Sequence, residues 1–418
     1  MRIAHVTDCY LPRLGGIERQ VLGLATAQLA AGHQVTVITS VPEGSSPARP
    51  GLPEPATAHP GMPQPGMAQF ETPHSGMAQP DGLRVIRPTG AGARPGSIRY
   101  LASLRGRQAV LRGGYDLVHV HASTFSPLAY LAAGAASRSG VATVATLHSL
   151  WSYATPIFRG FDAALDWRAW PITWTAVSTA AADSLSQVLR PGTEISVLPN
   201  GVSPERWQLR PRTPDPRRVV ILSVMRLAAR KRPLQLLRVL REVRAQVPAE
   251  ICVEAQIIGD GPQRDSMRSY LRRHRMTGWV ELTGQLDQPA IRDRFAGADL
   301  YVSPATLESF GIAALEARCA GLPVLAFAGT GVSDFIEHGR NGLLVRSDGQ
   351  LSSALAMLAQ SPAARAELAG PGPDGGPGSE FDYTWDQVLQ TCEQVYRRAF
   401  EQVGRPMPPG PLPVLRHP

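Results

Sequence analysis

The chain is almost without lysine. Of its 42 basic residues only Lys231 is a lysine and the other 41 are arginine, so one ammonium persists where the background would supply a guanidinium. Cysteine is scarce as well. Cys9, Cys252, Cys319 and Cys392 form no C-x-x-C pair, and they read as small buried hydrophobes in a reducing compartment. No apolar run approaches the ~18–20 residues that span a bilayer. The N-terminal MRIAHVTDCY alternates like a strand and has no apolar signal core. The chain therefore reads as cytoplasmic, with peripheral attachment to the inner face of a membrane left open. No D-x-D triplet occurs, which removes one common acidic metal-binding pair. A formal charge of +8 would suit nucleic acid, an anionic surface or phosphorylated ligands. The arginines are scattered and no basic tail is present, so nucleic acid is the weakest of the three.

What the chain does have is a regular alternation of short apolar strands and helices. A strand at 3–7 leads through YLPRLGG to a helix beginning at Ile17, with apolar positions Ile17, Val21, Leu24 and Ala25 at helical spacing. QVTVITS, LVHVHAS, VATVATLHS and TWTAVS follow as strands. From residue 219 the pattern becomes strict: VVILSV, VEAQIIG, WVELTG, LYVSP and PVLAF each precede a helix or a short helical turn. Such runs imply parallel sheets covered on both faces. The expected fold class is α/β, with two Rossmann-like, doubly wound domains facing a cleft. The first spans 1–195 and the second 196–380. A helix over 381–404 returns to the first domain, and 405–418 is a disordered tail. Residues 42–82, rich in Pro and Gly with GMAQ repeated at 66–69 and 76–79, read as a disordered insertion.

In open parallel sheets ligands sit beyond the C-terminal strand ends, and the loops there are informative. Gly15 and Gly16 precede a helix whose free N–H groups suit a phosphate; this turn is not G-x-G-x-x-G. Arg226 closes a strand and Lys231 opens the next helical segment, a fork and a point charge able to grip two phosphates. Gly259 begins a tight turn at another strand end. Glu308 lies in a loop, Phe310 and Gly311 open a helix, and Glu316 falls inside it, where a carboxylate can accept from vicinal hydroxyls.

Together these pieces resemble the family-4 (group 1) retaining glycosyltransferases of the GT-B fold. The matching segments are GGIE (15–18), LHS (147–149), PNGV (199–202), RLAARK (226–231), GDGP (259–262), the pair Glu308 and Glu316, GLPVLA (321–326) and NGLLV (341–345). The resemblance implies a UDP- or GDP-sugar donor in the cleft. It would place the donor diphosphate on Arg226 and Lys231, with Gly15, Gly16 and Gly259 close to it. The ribose would fall on Glu316. The sugar hydroxyls would meet Glu308 and the amides of Phe310, Gly311 and Ile312, with His148 beside the reacting sugar. Transfer of a hexose-type sugar with retention to a glycan, lipid or small-molecule hydroxyl is expected, with no cofactor and no metal. A sugar phosphorylase or synthase of the same fold and a non-catalytic nucleotide-sugar-binding protein are the alternatives.

Some positions depart from the family's pattern. Met225 stands where glycine is usual, and Asp334 replaces a usual glutamate. Trp151, Trp167, Trp170 and Trp174 with interleaved arginines fit an interfacial lipid segment, a sugar platform or core packing. Of His119 and His121 only one is expected to face the cleft, and neither is expected to bind metal.

Overall fold

The computed structural model describes residues 1–12, 15–42, 79–88, 98–151, 166–209, 213–369 and 383–409, with single positions between 155 and 162. Most of the expected insertion, the 370–382 break and the final nine residues lie outside the described residues.

The first sheet has seven parallel strands: β1 (Arg2–Thr7), β2 (Gln34–Thr39), β3 (Arg84–Ile86), β4 (Leu117–Ala122), β5 (Ala142–Leu147), β6 (Thr173–Ala176) and β7 (Ile195–Val197). Their order is β3-β2-β1-β4-β5-β6-β7. Helices α1 (Gly16–Ala30), α2 (Ile98–Arg112), α3 (Pro127–Arg138) and α4 (Thr179–Ser186) join them. After the short α5 (Pro204–Trp207) the second sheet begins. It consists of β8 (Arg218–Val224), β9 (Cys252–Ile258), β10 (Val280–Gly284), β11 (Leu300–Val302), β12 (Val324–Phe327) and β13 (Gly342–Val345). These six are ordered β10-β9-β8-β11-β12-β13 and are also parallel. Its helices are α6 (Pro233–Gln246), α7 (Arg264–Arg273), α8 (Gln288–Ala296), α9 (Ile312–Cys319), α10 (Asp348–Gln360) and α11 (Pro362–Ala369). The last helix is α12 (Trp385–Gln402).

Each sheet reverses its winding once, between β1 and β4 in the first and between β8 and β11 in the second. A crevice opens where the connections depart in opposite directions. The two central strands of each sheet are buried on both faces, as crossovers on both sides require. Every residue of β4 and β5 is buried. Leu117, Val144, Leu24 and Ile3 form one layer with Val388, Val395 and Phe400 of α12. Burying one such aliphatic side chain contributes about 1.5–3 kcal/mol. Met407 still packs on this layer, so the chain beyond α12 follows the first domain further than a disordered tail from 405 would.

Trp151, Trp167 and Trp174 lie in the core of the first domain, and Trp170 packs against its edge with Arg138 over the ring. Of the three readings of this aromatic segment, core packing describes these side chains. Among the described residues no helix is long and apolar enough to cross a membrane. Cys319 and Cys392 are buried, Cys9 is half-buried, and Cys252 is exposed at a strand start.

The chain passes between the domains twice. The first crossing carries Leu198 in the layer beneath α12 and Val202 in a second-domain core. The return enters at Tyr383, and the Val202 amide donates to its carbonyl at 2.8 Å, so the two crossings lie side by side. Gln20 of α1 holds the first crossing with both ends of its amide, donating to the Gly201 carbonyl and accepting from the Gly201 amide, each at 2.9 Å.

Candidate functional site

The loops that follow β1, β5, β8, β9 and β11 converge on the crevice, and they carry the residues singled out in the sequence. On the second domain, Arg226 is exposed just past β8, and no carboxylate pairs with it among the described residues. Lys231 ends a short 3-10 turn at Ala229–Lys231. Its ammonium forms an ion pair with Glu308, both side chains being largely buried. The one lysine therefore sits on the carboxylate expected at the sugar. Gly259 has φ +136°, and a Cβ there would lie 1.8 Å from the Met225 carbonyl oxygen. Only glycine fits that position, and the turn after β9 is thereby pressed onto the loop bearing Arg226. Met225 itself packs against the second-domain core.

Gly311 precedes α9 in a left-handed conformation, φ +95°, with the Val332 methyl where a Cβ would be. This bend turns the start of α9 toward the first domain. The Phe310 side chain is buried against Phe335 and Tyr383, so any role of Phe310 at the crevice belongs to its backbone. Ile312 lies opposite Gly16: a Cβ at Gly16 would be 3.2 Å from its Cδ1. The two helix starts thus face each other at close range. Gly15 leaves room for the Glu18 carboxylate, which a Cβ at that glycine would meet at 2.4 Å.

Glu316 is 4% exposed inside α9 and lies 3.4 Å from Arg19 of α1. Burial pushes its pKa up to about 7, and the Arg19 guanidinium partly opposes that rise. Arg19 was not legible as a partner, because the contact joins positions 297 apart.

On the first domain, His148 follows β5. Its amide donates to Ala122 at 2.9 Å, and its carbonyl accepts from the Ser309 hydroxyl at 2.8 Å. Ser178 donates to the Ser309 carbonyl at 2.6 Å. The residue after Glu308 is therefore clamped from both sides by the first domain. Asp334, the departure from the family's pattern, reaches across as well: its carboxylate accepts from the Thr179 amide at 2.7 Å at the start of α4. Burial raises its pKa, and the Thr179 bond opposes the rise.

Behind His148 lies a group that the sequence did not reveal. His5 of β1 and His119 and His121 of β4 are buried together. His119 and His121 share one face of β4, His121 toward the crevice beside His148 and His119 one pleat deeper. Each candidate ligand nitrogen of the three lies within 4.8 Å of the others, which is close enough for an ion. The chemistry fits hydrogen bonding better. The His119 and His121 rings are stacked, so their lone pairs do not converge, and all six ring nitrogens have a protein partner. Burial holds these imidazoles neutral: the pKa of His5 and that of His148 are each pushed down to about 4, and His119 and His121 fall well below the usual value.

Comparison with known proteins bears on this arrangement. Residues 14–206 match the family model for Glycosyltransferase Family 4, and residues 205–369 match that for Glycosyl transferases group 1. The chain is 27% identical to glycogen synthase of Mycobacterium tuberculosis, the match covering 100% of this chain and 99% of that protein. It is 27% identical to the D-inositol 3-phosphate glycosyltransferase of Thermobispora bispora, over 71% of this chain and 74% of that protein. The fold is similar to that of Anabaena HepE in complex with UDP and glucose, with a TM-score of 0.67 and 18% identity over 94% of this chain and 98% of that one.

Proposed function

Because the chain belongs to the family-4, group 1 glycosyltransferases of the GT-B fold, we propose that it moves a hexose-type sugar from a nucleoside-diphosphate donor to a hydroxyl acceptor, with retention and without a metal. The observation that carries this reading is the crevice itself. Exposed Arg226, the Lys231–Glu308 pair and buried Glu316 line one wall, and neutral His148 stands on the other. The UDP and glucose bound by the similarly folded HepE support a donor of this class.

In this reading the diphosphate lies between the loop after β8 and the opposed starts of α1 and α9. Glu316 exchanges Arg19 for the ribose hydroxyls, and Glu308 accepts from the sugar. The bond from the anomeric carbon to the phosphate oxygen breaks, and its electron pair goes to the leaving diphosphate. Arg226, Lys231 and the amides at the start of α9 stabilise that developing charge. The acceptor oxygen attacks from the same face, and its proton passes to the departing phosphate oxygen. Two fixed cations thus supply the charge compensation that a metal provides in other transferases.

The test is thermal unfolding with UDP, GDP and ADP, with and without EDTA. A ligand that binds only the folded chain stabilises it by about 2.7 kcal/mol at a hundredfold excess over Kd. The expected result is a rise in Tm with one diphosphate, unchanged by EDTA and lost in Lys231→Ala. A rise that EDTA abolishes would overturn metal-free donor binding.

A further inference from the structure

We propose that a buried hydrogen-bond chain running from the Ala145 carbonyl through Gln28 to His148 fixes the tautomer of His148, with its proton on Nε2 and a bare Nδ1, and that Gln28 is the positioning residue at its centre. The argument is a count of protons along the chain. A carbonyl can only accept, so Thr175 donates its one hydroxyl proton to Ala145, at 3.2 Å. The Thr175–Thr146 contact of 2.5 Å must then be donated by Thr146. Thr146 has no proton left for His119, so His119 Nε2 donates to it at 2.6 Å. The neutral His119 ring has one proton, which leaves Nδ1 to accept from the Tyr396 hydroxyl at 2.9 Å. The Tyr396 oxygen in turn accepts from the Gln28 amide nitrogen at 2.8 Å.

That places the Gln28 carbonyl oxygen toward His5, where it accepts from Nε2 at 2.6 Å. His5 Nδ1 is then bare and accepts from His121 Nε2 at 2.9 Å. His121 Nδ1 is bare in its turn and accepts from His148 Nε2 at 3.1 Å. Every donor in the series meets one acceptor, and reversing any link leaves two protons or two lone pairs face to face. Gln28 is the one member that joins the two arms, because an amide is a donor at one end and an acceptor at the other. It is 1% exposed, and the groups it joins come from β1 and α12.

The consequence at the crevice is chemical. His148 Nδ1 has no partner among the described residues, and the chain makes it an acceptor. The group it meets must carry a hydrogen, as a sugar or acceptor hydroxyl does, and an unprotonated phosphate oxygen is rejected. This part rests on the reading of His148 as a residue of the transfer site, whereas the tautomer itself does not.

The experiment is nitrogen NMR on the full chain labelled with ¹⁵N-histidine, with His148 assigned by loss of its signals in His148→Asn. At pH 7 the expected pattern is a protonated Nε2 and a bare Nδ1 at His148. A proton on Nδ1 would overturn the proposal. Two variants then test the chain. Gln28→Met removes the centre, and Thr175→Val removes the anchor at the far end while keeping side-chain volume. Either should turn His148 into a mixture of tautomers, with the rise in Tm retained for whichever of UDP, GDP and ADP stabilises the unmodified chain. An unchanged single tautomer in Thr175→Val and in Gln28→Met would show that the chain does not set it. Absence of a response to UDP, GDP and ADP alike in the unmodified chain would remove the donor reading and leave the tautomer result standing.

Discussion

The two walls of the crevice solve the problem of polar groups in opposite ways. The second domain keeps its ions where a ligand can reach them: Arg226 is exposed, and Lys231 and Glu308 pair at the edge. The first domain brings Arg19 to Glu316 but backs His148 with neutral imidazoles, hydroxyls and an amide. A wall of ions suits an anionic diphosphate. A wall of neutral groups in fixed orientation suits a hydroxyl-bearing sugar, whose recognition depends on the direction of each hydrogen bond. The contrast also appears in titration. Acid charges the first wall, and rising pH charges the buried carboxylate of the second.

The comparison breaks most sharply at Lys231. Lys231→Ala should lower turnover about 10²–10³-fold, the usual scale for removing one transition-state charge partner, with a small change in Tm by comparison. Release of nucleoside diphosphate from a sugar donor measures it, and near-normal turnover would remove Lys231 from the site.

The next effect is on binding. Ribose hydroxyls need the ionised form of Glu316, whose pKa is about 7. Affinity for the matching diphosphate should therefore rise about tenfold from pH 6 to pH 8, within the limit of one proton per site. Calorimetric titration should find the slope flattened in Glu316→Gln. A slope that survives the substitution would assign it to another group.

Stability sharpens the contrast further. For His5 and His148 the folded pKa, about 4, is below the unfolded value of 6.5, so the unfolded chain binds more protons between these limits. Stability from the first wall is then lost as pH falls from about 6.5 toward about 4. Glu316 has the opposite sign. Its folded pKa of about 7 lies above the ordinary carboxylate value of 4.5, so its contribution is complete below that value and is lost as pH rises through about 7. Urea unfolding across pH 5 to 8 should show the two trends opposing each other, and Glu316→Gln should leave the rise from pH 5 to about 6.5 and remove the fall toward pH 7.

The smallest effect is expected at Asp334, which accepts from the first amide of α4 across the crevice. Asp334→Ala should lower stability by about 0.5–2 kcal/mol, the range for losing a helix N-terminal acceptor, seen as a shift in the urea midpoint. No shift would mean that the Asp334 carboxylate does not stabilise the start of α4.

The difference between the walls also decided what could be read beforehand. Arg226, Lys231 and Glu308 stand in the segments that follow strand ends, and Glu316 in the helix that Gly311 opens, so local pattern was enough to place them. The β8-to-β12 alternation was legible for the same reason: short apolar runs and breaks recur at close intervals. On the first wall the resemblance placed His148, but the chain of imidazoles behind it was not legible. His5 reads as a residue inside a buried strand, and its partners lie 116 and 23 positions away. Register across β1 and β4 brings His5 level with His119, and no local signal encodes that. One signal was available: histidines inside fully apolar strands need partners somewhere. Arg19 escaped because it faces Glu316 only once the two domains are apposed. Asp334 was noticed as a departure, but its bond to α4 depends on the same apposition.

The paired crossings between the domains have a mechanical meaning. Two bodies joined by one strand can swivel about it; joined by two strands fastened side by side, they can only fold along the line those strands define. The Val202–Tyr383 bond and the Gln20 clamp on Gly201 tie both strands to α1. That same helix carries Gly16 and Arg19 to the crevice and Gln28 to the imidazole chain. Opening and closing should therefore follow one arc, like a book on its spine, and bring the same residues of the two walls back into register on every cycle.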